Sequence, residues 1–300
     1  MPADPAGAGA TLRDAWEDEA ARWIAWARSP GTDHFFWRFS LPALLDLTPA
    51  PGRLTVDMGC GEGRVGRELI ARGHRVVGIE GSPTLAQAAR DADPPIDVHV
   101  ADASAMPLDD GAADLCVASM VLLNVDDLDA VIAEVARVLA PGGTLAIMGE
   151  PSRNGDRIAW TPKRLGALAA PVWRRVMGAE SQNGAKAIDH PPTKPTMNDD
   201  TELERFVDVH TFDPRTLRTL TVNAGFVDVR VSGEELLANA YGWWLRALEA
   251  GSDPYRVPRA WHQFAFRSDH ALQWLDGKLL EPRLPAGLFY NLLLSARKPA

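Results

Sequence analysis

Residues 56–66, Val-Asp-Met-Gly-Cys-Gly-Glu-Gly-Arg-Val-Gly, hold four glycines directly after an apolar run. Read from Gly61, the segment GEGRVG fits G-x-G-x-x-G, whose glycines let a backbone approach a pyrophosphate at a helix N-terminus. Read from Gly59, GCGEG fits G-x-G-x-G preceded two residues earlier by Asp57, an acid that suits a ligand carrying an amine. The turn alone permits either cofactor. Three acids recur at matching places: Asp57 at the end of a first strand, Glu80 at the end of a second, and Asp102 after a third. These are carboxyl ends of strands, the edge at which open α/β sheets bind ligands.

The elements that must hold these residues alternate. Strands are expected in LTVD, RVVGIE, IDVHVAD, DLCVAS and TLAIMGE, with helices over Arg64–Arg72 and Pro83–Arg90 between them. A further helix places Leu128, Val131, Ile132, Val135, Val138 and Leu139 on one face, and PGG is expected to end it. Interleaved strands and helices call for a parallel sheet covered on both faces. Before this centre, Trp16, Ala20, Trp23 and Ala27 fall at helical spacing. After Glu150 the alternation breaks, resumes as a helix and strand in DPRTLRTLTVNAGFVDVRVS, gives way to a helical stretch over about 234–281, and ends in the strand LFYNLLLSARK. The expected organisation is a disordered 1–10, a helical arm over 11–50, an α/β core over 51–150, a helical and loop insertion over 151–208, a return to the core over 209–231, a second helical insertion over 232–286, and a last core strand and tail over 287–300.

Aromatic residues divide the chain. Of ten Trp, three Tyr and nine Phe, none lies between Ser40 and Ala159, and that gap coincides with the α/β centre. They crowd instead into the arm and the insertions, where they supply packing anchors and also stacking surface for a ring-bearing molecule.

Taken in order, VDMGCGEG, GIEGS, ADASAMPLDDGAADL and EVARVLAPGGTLAI resemble the class I S-adenosylmethionine-dependent methyltransferases, in the subgroup acting mostly on small molecules. The resemblance covers about Arg53–Glu150 strongly, and 211–231 and 287–298 less so. It implies an α/β fold with a seven-stranded, mostly parallel sheet and helices on both faces, to which the arm and insertions add a lid. It also implies S-adenosyl-L-methionine as cofactor. By the same resemblance Gly59 and Gly61 let the backbone pass close to the cofactor, Asp57 favours its ammonium and organises the loop amides, and Glu80 accepts the two ribose hydroxyls. Asp102 accepts from the adenine amino group, the Ala103 amide addresses a ring nitrogen, and Gly81 and Ser119 line the pocket. A nicotinamide oxidoreductase and a cofactor-binding protein without transfer are the competing readings.

A sulfonium methyl is already activated, so transfer needs placement and exclusion of water more than acid–base power. For a hydroxyl acceptor a base helps, and His34 and His210 are the two histidines expected near the site, whereas His74 and His99 read as structural. The expected acceptor is an oxygen of a small, ring-bearing metabolite. SMVLLN after the fourth strand lacks the Asn-Pro-Pro-aromatic sequence of enzymes acting on amino groups of nucleobases or glutamine, so RNA and protein are disfavoured substrates. No metal-ligand spacing is visible. A net charge of −9 argues against a broad nucleic-acid surface, and two cysteines argue against a disulfide framework and for a reducing cytoplasm. Neither a signal sequence nor an apolar run of membrane length is seen, and oligomeric state is left open. Residues 151–195 carry eight Lys or Arg against three acids, which reads as a solvated basic face or a means of recognising an acidic substrate.

Overall fold

The computed structural model describes residues 12–28, 36–178, 211–250, 252 and 256–300. Seven strands form one sheet: β1 (Thr55–Met58), β2 (Val76–Glu80), β3 (Asp97–Val100), β4 (Ala113–Ser119), β5 (Leu139–Pro151), β6 (Val227–Glu234) and β7 (Asn291–Arg297). Their order is β3-β2-β1-β4-β5-β7-β6. The first five are parallel, and β7 runs antiparallel to both of its neighbours. The chain leaves β1 toward β3, then returns to place β4 on the other side of β1. That reversal opens a crevice at the carboxyl ends of β1 and β4, where ligands bind in open α/β sheets.

Both faces are covered because the central strands are apolar on both sides. On one face Val131, Ile132 and Val135 of α5 (Leu128–Val138) and Leu217 of α7 (Pro214–Asn223) pack on Val56, Ile147 and Leu294. On the other, Leu44 of α2 (Leu41–Asp46), Leu69 of α3 (Arg64–Ala71) and Ala86 of α4 (Pro83–Arg90) meet Leu115, Val117 and Met148. The helix starts are written locally. Ser82, Asp127 and Asp213 cap α4, α5 and α7 by accepting from backbone N–H groups, with Pro83 and Pro214 in the first turn.

Four further helices stand beside this core. The N-terminal α1 (Leu12–Ala27) lies against α4. Helix α6 (Gly155–Met177) packs along α8 (Leu237–Glu249), which is also crossed by α9 (Arg259–Leu275). The α6–α8 approach is close enough to require glycine, since a Cβ at Gly166 would stand 2.4 Å from the Trp244 carbonyl oxygen. Trp173, Leu248 and Val257 form their buried centre.

One boundary differs from expectation. PGG does not separate helix from strand: α5 stops at Val138, and Leu139 already pairs with Ala113. The register then shifts so that Leu115 pairs with Thr144, and residues 140–143 bulge from a single strand. Gly142, at φ +78, donates its N–H to the Lys298 carbonyl across the bulge.

Candidate active site

The glycine turn fills the crevice. Gly59 and Gly61 adopt φ +64 and +57, a left-handed conformation that side chains disfavour, and a Cβ at Gly59 would come within 2.6 Å of Val121. The turn is held from the next strand. Glu80, buried at the end of β2, accepts the Gly61 N–H at Oε2 and the Ser82 N–H at Oε1, both at 2.8 Å. A carboxylate offers about four lone-pair sites, so both oxygens can take a further donor. Glu80 thus organises the loop amides of Gly61 and Ser82, while Asp57 takes the Gly66 N–H.

Asp57 is 1% exposed, and its Oδ2 has no hydrogen-bond partner. Burial, with the nearby Glu80 charge, pushes its carboxyl up to about 7 against the opposing pull of the Gly66 N–H and two arginines. An orphaned, buried acidic oxygen beside two glycines in left-handed conformation fits a ligand that brings an ammonium group to a backbone cradle. Asp102 is placed by its own turn: Oδ1 accepts the Ser104 N–H at 2.8 Å and the Ser104 hydroxyl at 2.6 Å, and these bonds hold its carboxyl below the usual range. The loop carrying Asp102 and Ala103 is tied to α5, where Glu134 accepts the Met106 N–H and Arg137 donates to the Met106 and Leu108 carbonyls.

Gly59, Gly61, Asp57, Glu80, Gly81, Asp102, Ala103 and Ser119 all line one cavity of about 750 Å³. Its opposite side is formed by Trp243 and Arg246 of α8 and by Tyr290 and Asn291 at the start of β7. Between the two lies Met120, a non-glycine residue at φ +58 whose N–H donates to Met148 and whose side chain packs on Gly149. Backbone strain of this kind gathers at binding and reaction sites. His34 and His210 lie outside the described residues, as do Lys186, Lys194, Glu180 and Asp189 of the basic segment. Among the described residues no histidine lines the cavity, and no group of three His, Cys, Asp or Glu is placed to hold a metal. His74 is buried against Thr55 and His99 sits within β3. No described helix is long and apolar enough to cross a membrane.

The arm, expected as part of a lid, forms a wall of this cavity and is also tied to the glycine turn and the loop after β2. Arg13 donates to the Gly81 carbonyl at 2.6 Å, and Glu17 accepts from the hydroxyls of Ser82 and Thr84. Arg28 pairs at 2.9 Å with Glu62, a fully buried acid inside the glycine turn, which Arg67 also holds at 2.8 Å. Trp16, Trp23 and Trp26 of α1 face the cavity, and Arg64 stacks its guanidinium over Phe36, at 3.6 Å from the ring centroid, and over Trp23. A charge in the middle of a turn otherwise made of small residues is the signal by which Glu62 could have been found.

The geometry has known counterparts. A family model described as a methyltransferase domain matches residues 56–147. Nocamycin O-methyltransferase of Saccharothrix syringae is 31% identical over 67% of this chain and 69% of its own length. This chain belongs to the class I S-adenosylmethionine-dependent methyltransferases. Malonyl-[acyl-carrier protein] O-methyltransferase of Serratia marcescens is 36% identical over 32% of this chain and 37% of that protein. The chain spans between a third and a half of the length of the first curated relatives it matches. A solved methyltransferase of Thermotoga maritima shares the fold, with a TM-score of 0.54, 18% identity, and coverage of 96% of this chain and 99% of its own. The family's cofactor is S-adenosyl-L-methionine, and the dinucleotide register that begins at Gly61 falls away.

The chain buries several carboxyls that fold against their own charge. Burial pushes Glu235 up to about 8 and Glu281 to about 7, alongside Asp57 at about 7. An acid whose pKa rises on folding favours the folded chain while protonated, so its contribution is intact below about pH 4 and is lost as pH climbs through 7 to 8. Lowered acids such as Asp102 and Glu134 act oppositely, losing their contribution only as pH falls below about 4. Melting temperature is therefore expected to fall steadily from about pH 5 to about pH 8.5, and Glu235→Gln should flatten that slope. A wild-type melting temperature that rises over the same interval would contradict these burial assignments.

Proposed function

We propose that this chain transfers a methyl group from S-adenosyl-L-methionine to an oxygen of a small, ring-bearing acceptor held in the same cavity. The observation that carries this reading is the cavity itself. Its inner side is built from Asp57, Glu80, Asp102 and the glycine turn, and its outer side from Trp243 and Tyr290. About 750 Å³ lies in the upper part of the range, ~300–1,000 Å³, in which single drug-sized ligands sit, so a second small molecule has room beside the first. The names of two relatives, O-methyltransferases for nocamycin and for a malonyl carrier, favour oxygen as the acceptor atom.

In this reading Asp57 Oδ2 takes the cofactor's ammonium, the free lone pairs of Glu80 take the ribose hydroxyls, and Asp102 and the Ala103 amide address the adenine. Bound there, the cofactor would supply an activated methyl group on a positively charged sulfur, whose departure would leave the neutral thioether. The protein's share is placement and dryness. Trp16, Trp23 and Trp26 cover the glycine turn and keep water from the reacting line, while α8 and β7 hold the acceptor against it. The hydroxyl proton passes to a base, for which His210 and His34 are the sequence's candidates. Incubation with methyl-labelled cofactor and a panel of ring-bearing metabolites, read by product mass, is expected to yield a labelled ether or ester. Tight cofactor binding with no labelled product from any hydroxyl or carboxyl compound would favour a non-catalytic role.

A further inference from the structure

Trp243 is flanked by two cations. The Lys163 ammonium lies 3.7 Å from its ring centroid and the Arg246 guanidinium 4.9 Å. Both contacts are favourable one at a time, yet together they hold two like charges around one ring. Among the described residues neither cation has a carboxylate within ion-pair distance. The acids that act on Arg246 do so from farther off: Glu235 is engaged by Asn239 and Asn291, and Asp269 by Gln273. Arg246 lines the cavity, and the acids Asp57, Glu80 and Asp102 line its other side.

Asn291 adds direction. Its amide nitrogen donates to Glu235 Oε1 at 2.7 Å, which fixes the side chain and leaves the carbonyl oxygen without a partner among the described residues. Glu235 is itself held in left-handed backbone conformation at φ +64 and bonded to Asn239. The acceptor side thus offers aromatic surface, a guanidinium with no carboxylate at ion-pair distance among the described residues, and one oriented hydrogen-bond acceptor.

We infer that the acceptor is a planar ring compound carrying an anionic group, a carboxylate or a phosphate monoester, which Arg246 grips while the ring packs against the adjacent Trp243 and Tyr290 and a hydroxyl donates to Asn291. This rests on the methyl-transfer reading and names its substrate class. A guanidinium fork matches either anion through two parallel N–H···O bonds, and charge-assisted bonds of this kind are the strong ones.

The test is calorimetry on the full chain saturated with S-adenosylhomocysteine, with 4-hydroxybenzoate, phenyl phosphate and the neutral 4-hydroxybenzamide as probes. At least one anion should bind about tenfold or more tightly than the amide, the scale of a charged hydrogen bond. Arg246→Gln should erase that preference while leaving S-adenosylhomocysteine affinity within about twofold. Equal binding of acids and amide by the wild-type chain, or binding of none, overturns the inference and leaves the cofactor reading standing. A preference that survives in Arg246→Gln overturns Arg246 as its source. Failure of the wild-type chain to bind S-adenosylhomocysteine removes the methyl-transfer reading, and this inference with it.

Discussion

Glu80→Ala is expected to weaken S-adenosylhomocysteine binding by about 1.5–3 kcal/mol, roughly ten- to a hundredfold, the cost of leaving charge-linked hydrogen bonds unmade. The effect should be large because the carboxylate acts twice. Toward the protein it fixes the Gly61 and Ser82 amides, so its loss frees the cradle and strands buried N–H groups. Toward the ligand its remaining lone pairs are the proposed seat of the ribose hydroxyls. Glu80→Gln should fall between, since it keeps acceptor capacity at one oxygen only and sets a donor against an N–H. Unchanged affinity in the alanine variant, with the fold intact by melting, would remove Glu80 from the site.

Deletion of residues 1–35 should abolish turnover and also lower cofactor affinity by about tenfold. From the sequence alone the arm looks like a closure over a site complete without it. In the folded chain Arg13 bonds the Gly81 carbonyl and Arg28 completes the pairing of Glu62 inside the glycine turn. Breaking a buried pair by removing one partner costs about 3–5 kcal/mol when no other remains, and here Arg67 still holds Glu62, so a smaller loss is expected. Removing Trp16, Trp23 and Trp26 opens the reacting line to water. Keeping Phe36, which is buried against the core and under Arg64, gives the truncated chain its best chance to fold. A folded truncation that still turns over would show that the arm is dispensable.

What could be read from the sequence was local. The 3.6-residue period of α5, the short apolar strands and the acids at their ends each depend on neighbours a few residues away, and the first four parallel strands lie within two residues of where the pattern puts them. Asp57, Glu80 and Asp102 were legible as a set because strand ends converge on one edge whatever the loops do. What could not be read was partnership across the chain. Nothing local announces that Arg28 meets Glu62, that Gly166 lets α6 press on the Trp244 carbonyl, or that Asn291 is turned by Glu235. The run of β5 through PGG was missed for the same reason, since its first residue is a strand only because Ala113 pairs with it. His34 and His210 are candidate bases only by adjacency to elements along the sequence, and both lie outside the described residues.

Calorimetric titration of the full chain with S-adenosylhomocysteine, and separately with NAD, tests the central claim most directly. The cradle of Asp57, Gly59, Gly61, Glu80 and Asp102 predicts a dissociation constant on the order of micromolar for S-adenosylhomocysteine, about −8 kcal/mol, and no measurable heat with NAD. Binding of NAD, or no binding of S-adenosylhomocysteine by a folded chain, would contradict it.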